Sequence, residues 1–159
     1  MLLYHGSDTV ISSPRILKPN RALDFGQGFY TTLNEEQAQN FALKVKDRTH
    51  SDKAVVNVYE ADVEAMRNAL SHRWFEGVSE DWLDFVSLNR NNLGRETYDF
   101  VYGPVANDDV FRTFIAYSSG ILTKEETLTR LKVKKLYNQL TFASDEALKY
   151  LYFLTSYNL

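Results

Sequence analysis

Strand-like and helix-like segments follow one another along this chain without a regular βαβ alternation, and that order most narrows the folds open to it. Leu2–Ser7, Gly28–Thr32, Ala54–Ala61, Tyr98–Tyr102, Gln139–Ala143 and Leu151–Tyr157 are rich in β-branched and aromatic residues, which suit a pleated surface. The fourth of these is expected to stop at Gly103-Pro104. Asn34 is placed to cap a helix, with Glu35 and Glu36 in its first turn, and Ala38, Phe41, Ala42 and Val45 recur at helical spacing. Further helices are expected over Glu64–Leu70, Glu80–Leu88 and Asp108–Tyr117, from the capping box Thr123-Lys-Glu-Glu126 to Leu136, and from Ser144 onward. Residues 8–27 read as loop with a short extended piece near Ile16–Lys18, and Asn89–Gly94 as a turn. This order predicts an α+β fold with a largely antiparallel sheet. A chain of 159 residues fits one domain spanning 1–159, long enough to bury a core without staples.

Composition removes several chemistries. With no cysteine there is no disulfide, thiolate nucleophile or Cys-ligated metal. His5, His50 and His72 are far apart and show no metal-ligand spacing, so no metal is expected. The formal charge is −3, and the only small basic group, Lys132, Lys134 and Lys135, reads as a solvated helix end, which argues against strong unspecific nucleic-acid binding. Met-Leu-Leu-Tyr-His-Gly lacks the basic start of a signal peptide, and no apolar run reaches membrane-spanning length. A cytoplasmic protein with no membrane partner is expected. Ten Tyr, ten Phe and two Trp suit a β-containing core and can also line a cleft that stacks planar ligands.

Three segments carry residues that chemistry could use. Tyr4-His5-Gly6-Ser7 ends a strand with a histidine before a glycine: it can face a cleft, or hold a structural histidine beside a turn. Asp24-Phe25-Gly26-Gln27-Gly28-Phe29-Tyr30-Thr31-Thr32 has two glycines that let a loop approach a ligand, or simply turn into the strand. It is not a dinucleotide fingerprint, because the third glycine is missing and a strand follows rather than a helix. Phe41, on the helix with Ala38 and Asn40, has the spacing of a core aromatic.

Taken in order, these segments resemble the ADP-ribosyltransferase superfamily, in its diphtheria-toxin and poly(ADP-ribose)-polymerase branch. Phe25-Gly26-Gln27-Gly28-Phe29-Tyr30 is similar to that branch's Phe-Gly-x-Gly-x-Tyr element, and Phe41 follows Tyr30 by eleven residues, the family spacing for the ring that stacks on nicotinamide. The chain also resembles, over most of its length, a bacterial family of uncharacterised domains in the same superfamily, whose signature is similar to Tyr98–Asp109. The resemblance implies a split antiparallel sheet with flanking helices and NAD⁺ as co-substrate. It implies that His5 hydrogen-bonds a ribose hydroxyl and that the Gly6 backbone holds the nicotinamide amide. Ser7 and Gly28 flank the pocket, Tyr30 packs against the nicotinamide end, and Phe41 stacks on its other face. Ala38 stands where many relatives have a serine that bonds the amide.

The branch places a catalytic glutamate at the start of a late strand. In Tyr137-Asn138-Gln139-Leu140-Thr141-Phe142, Gln139 has that position. A glutamine keeps a hydrogen bond to ribose but not the charge that steadies an oxocarbenium-like transition state. Asp109 with Asp108, and Asp99 behind them, are candidates for a carboxylate from elsewhere; Asp108 and Asp109 are equally explained as the acidic start of a helix capped by Asn107. The implied activity is mono-ADP-ribosyl transfer from NAD⁺ to an unidentified protein or nucleic-acid acceptor, in a toxin-type effector that works in the cytoplasm or is delivered into target cells, with an antitoxin or immunity partner. The alternative is a module that binds NAD⁺ or ADP-ribose, or recognises a partner, without chemistry.

Overall fold

The computed structural model describes residues 1–18, 22–91, 97–105, 108–134 and 136–159, with the side chains of Asp108 and Asp109 excepted. Its elements are β1 (Leu2–Ser7), β2 (Phe29–Thr32), α1 (Glu35–Thr49), β3 (Val55–Ala61), α2 (Val63–Ala69), β4 (His72–Trp74), α3 (Glu80–Arg90), β5 (Phe100–Val105), α4 (Asp108–Ser118), α5 (Lys124–Lys132), β6 (Tyr137–Phe142), α6 (Asp145–Leu148) and β7 (Leu151–Asn158). The chain is thus a mixed α+β fold. Its seven strands form one sheet in the order β4-β5-β6-β2-β1-β3-β7. Every ladder is antiparallel except β4–β5.

The ladders are of very unequal length. β1 is in register with β3 from Leu2↔Glu60 to Ser7↔Val55, and β5 with β6 from Phe100↔Phe142 to Val105↔Tyr137. β1 meets β2 at one registered pair, Tyr4↔Thr32. The sheet is therefore two well-paired halves, β1-β3-β7 and β2-β6-β5-β4, joined at a seam.

Strand alternation gives the sheet two faces. One carries Leu3, Phe29, Tyr59, Phe100, Tyr102, Leu140 and Phe142, closed by Met66 of α2 and Ala147 of α6. The loop after β1 seals this face further, with the Ile11 N–H and Thr9 carbonyl bound to the buried Asn57 and the Tyr59 hydroxyl donating to Ile11. The other face is covered by two separate helical layers. Ala38 and Ala42 of α1 lie on β1 and β3 beside Ala54 and Val56. Trp82, Leu83 and Val86 of α3, Val110 and Phe114 of α4, and Leu128 and Leu131 of α5 lie on the other half.

α1 starts where Asn34 accepts from the Gln37 N–H, and α5 where Thr123 and Glu126 form a reciprocal capping box. The elements differ from the sequence reading at several points. β5 runs through Gly103 and Pro104 instead of stopping before them. β4 ends opposite Tyr102, so beyond it Pro104 has an open side on which its missing N–H costs no ladder bond; its carbonyl accepts from Trp82 Nε1 at 2.8 Å. α5 ends at Lys132, not Leu136, because Leu131 is the last residue of that helix in the core while Val133 is 82% exposed. β4 is a three-residue edge strand that no periodicity announces, and Ile16–Lys18 forms no strand.

Candidate functional site

The seam gathers most of the residues singled out by sequence. Thr32 pairs with Gln139 and Tyr30 with Thr141, so Tyr30, Thr32, Gln139 and Thr141 share the helix-covered face. α1 lies over that face in a known orientation. The Thr32 hydroxyl donates to Gln37 Oε1, whereas Glu35 and Gln39 bond the Tyr157 hydroxyl of β7. The line of α1 that carries Gln37 therefore faces β2, and Phe41, one turn further on, continues it. Phe41 is 43% exposed. A core aromatic would be covered; Phe41 continues the line that Gln37 begins and stays partly exposed.

His5 belongs to the opposite face. Its ring stacks on Phe29 with centroids 4.5 Å apart, and its Nδ1–H donates to the Tyr30 carbonyl at 2.7 Å. That bond crosses the seam where the β1–β2 ladder has ended. Burial holds the imidazole below its ordinary pKa, and the bond to Tyr30 opposes this in part. The ring is neutral at pH 7, and with Nδ1 as donor its Nε2 is an acceptor. The structure thus brings Tyr30, Phe41 and Gln139 to one face and sets His5 at the joint between faces.

Tyr30 is tied down by its own loop. Its hydroxyl donates to the Gly26 carbonyl at 2.6 Å and accepts from the Phe25 N–H at 3.1 Å. Burial raises its pKa strongly. The Phe25 ring lies nearly parallel to it at 6.4 Å. Gly26 has φ +76°, the left-handed region that glycine enters without strain.

The glycines are close-packed by protein. A Cβ on Gly6 would stand 2.1 Å from the Ala38 carbonyl oxygen, and one on Gly28 would stand 2.6 Å from Thr141 Cγ2. Gly6 lets α1 settle on β1, and Ala38, 2% exposed, is the residue it settles under. Ser7 is buried and its hydroxyl accepts from the Thr9 N–H, so it shapes the turn after β1. Asp99 is committed elsewhere. Its carboxylate accepts from the N–H and hydroxyl of Ser71, and bonds from Ser144 and then Ser71 hold its pKa below the usual carboxylate range. It staples the starts of β4 and β5 and is no substitute for a carboxylate at Gln139. Asp109 lies in the first turn of α4, with Asp108 at the head of that helix; their side chains, the expected cap Asn107 and Lys135 lie outside the described residues.

Sequence reasoning missed one partner of the loop. Asp24 is 6% exposed and accepts from Arg90 Nε at 2.5 Å. Asp24 adjoins the Phe-Gly-Gln-Gly motif, but no local pattern links it to a cation at the far end of α3. Among the described residues no group of three or more His, Cys, Asp or Glu could hold a metal ion, and no helix is long and apolar enough to cross a membrane.

No curated protein and no solved structure matches the chain. Residues 1–153 match the family described as protein of unknown function (DUF3990), and the chain belongs to that family.

Proposed function

We propose that the chain is an NAD⁺-dependent mono-ADP-ribosyltransferase of the diphtheria-toxin and poly(ADP-ribose)-polymerase type, acting at the seam between β1 and β2. The observation that carries the reading is the 43%-exposed Phe41 on the line of α1 that Gln37 turns toward β2, with Tyr30 and Gln139 on the sheet face beneath the helical layers. A flat, cationic nicotinamide is the kind of ligand an exposed aromatic ring favours. Beyond Tyr4 the β1 edge has no registered partner in β2, and strand backbone there is what a carboxamide would meet. His5 is set on the opposite face, so its part in the reading is a ribose hydroxyl that reaches its Nε2 at the joint between the faces.

In the reaction, the bond between C1′ of ribose and the nicotinamide nitrogen breaks, and its electron pair leaves with nicotinamide. The acceptor's lone pair forms the new bond to C1′ and the acceptor gives up a proton. Gln139 would hydrogen-bond the ribose hydroxyl while that positive charge develops. Its lack of charge removes an electrostatic contribution of the kind worth about 10²–10³ in rate; a carboxylate from Asp109 or from the acceptor itself would restore it. A target in the cytoplasm, either the producer's own or that of a cell into which the protein is delivered, fits a toxin-type effector, and such an effector calls for an antitoxin or immunity partner.

Gln139 also favours a second reading, a relative that binds NAD⁺ or ADP-ribose without transfer, and the buried methyl of Ala38 points the same way because it offers the carboxamide no hydroxyl. Labelled NAD⁺ added to whole-cell lysate separates the two. Label that reaches macromolecules with wild type but not with folded His5→Ala supports the transferase, and digestion with protease or nuclease identifies the acceptor class. No label from wild type, with transfer gained in Gln139→Glu and a melting temperature raised by NAD⁺ in both, supports the binding module. Absence of any NAD⁺ effect on melting or labelling overturns both.

A further inference from the structure

We infer that Arg90 is a positioning residue for the seam: through Asp24 it fixes the 24–28 loop that holds the Tyr30 ring in place. The inference deepens the proposed NAD⁺ reading and rests on it for its ligand arm.

A line of contacts runs from the helical layer to the site. Arg90, the last residue of α3, lies with its guanidinium over Phe111 at 5.0 Å and Phe114 at 5.4 Å, both on α4. The same guanidinium pairs with the nearly buried Asp24. Asp24 precedes Phe25 and Gly26, whose N–H and carbonyl are the two groups that grip the Tyr30 hydroxyl. Asn89, beside Arg90, stands close to the loop, its Oδ1 3.3 Å from where a Gly26 Cβ would be. The loop is thus paired at Asp24 with the end of α3, and Tyr30 is held by the loop.

The chemistry makes Arg90 hard to replace. Arg90 is one of the groups that hold the nearly buried Asp24, so without it the carboxylate is less well paired and the loop is held less firmly at that end. The planar guanidinium can stack on two rings and bond a carboxylate at once; an ammonium cannot. Through this link α3 and α4, which otherwise only cover the sheet, bear on the placing of the Tyr30 ring.

The test uses the full chain with wild-type residues, Arg90→Lys and Arg90→Gln. Amide exchange at Phe25, whose N–H is bonded to Tyr30, reads the loop without any ligand, and NAD⁺ titration reads the site. Arg90→Gln is expected to speed Phe25 exchange and to weaken NAD⁺ binding by about tenfold each, while exchange in the β1–β3 ladder stays as in wild type. Arg90→Lys, which keeps the charge and loses the stacking, is expected to fall between. Unchanged Phe25 exchange in Arg90→Gln overturns the inference whatever NAD⁺ does. Faster exchange with unchanged NAD⁺ affinity also overturns it, since Arg90 would then serve the fold alone. A wild type that shows no NAD⁺ binding overturns the NAD⁺ reading and the positioning role with it, while the exchange data still report whether Arg90 holds the loop.

Discussion

The two halves of the sheet bury their helix-covered faces by opposite means. On β1 and β3 the contact with α1 is made by Gly6, Ala38, Ala42, Ala54 and Val56, so that backbone lies almost on backbone. On β5 and β6 the contact is made by large rings: Phe25, Phe75, Trp82 and Phe114 fill the space below α3, α4 and α5. Small residues give a close, stiff contact with no slack. Large residues give more apolar area and a layer whose helices stand further from the sheet. The seam falls where the first packing gives way to the second, and Phe41 stands on the helix at that boundary, partly uncovered.

Trp82→Ala should break the contrast most severely. Trp82 is fully buried and its indole donates to Pro104, and removing it should cost about 4 kcal/mol in urea denaturation. In hydrogen exchange the loss of protection should concentrate in α3–α5 and β5. Gly6→Ala attacks the other half by overfilling it. The added methyl meets backbone at 2.1 Å, so a loss of about 3 kcal/mol is expected, with exchange rising in α1 first. Equal spreading of damage from both variants would show that the halves are one cooperative unit and that the contrast is only geometric.

The smallest effect is a pH dependence at the joint. The folded state binds the His5 proton less readily than the unfolded chain, whose histidine titrates near 6.5. Stability from this group is therefore complete above about pH 6.5 and falls as pH drops below it toward the folded value. His5→Gln should flatten that part of the stability–pH curve. The carboxylate of Asp99 gives a separate signature: its lowered pKa contributes stability above its ordinary range near 3.8 that disappears only in more acidic solution.

The sequence made the antiparallel α+β class legible because its strands are long runs of Val, Tyr and Phe and its helices carry caps at Asn34 and Thr123. It did not reveal β4, whose three residues are held by pairing with β5 and by His72 and Trp74 stacking on Phe100 and Tyr102. Nor did it show that Pro104 is tolerated in β5, since that depends on where a neighbour ends. At the site, the resemblance to the ADP-ribosyltransferase superfamily brought Tyr30, Phe41 and Gln139 to notice, but a linear motif says nothing of sides. The face of Phe41 follows from the Thr32–Gln37 bond, and the place of His5 from its contacts with Phe29 and Tyr30. The bonds that occupy Asp99 were not legible because its donors, Ser71 and Ser144, lie far from it in sequence. Arg90 was missed for the same reason.

The strand order has a consequence for how the molecule comes into being. Thr31 donates to the Leu140 carbonyl across 109 residues of chain, and β3 closes against β7, the last strand of the sheet. β1, α1 and β3 are close in sequence and can pair early, but β2 must wait for β6 and the outer edge of β3 for β7, and ladders of such long range form slowly. Gln139 enters the seam only when β6 pairs with β2. The seam therefore stays incomplete until β6 has been made and has crossed back to β2, long after β1, α1 and β3 are available to one another.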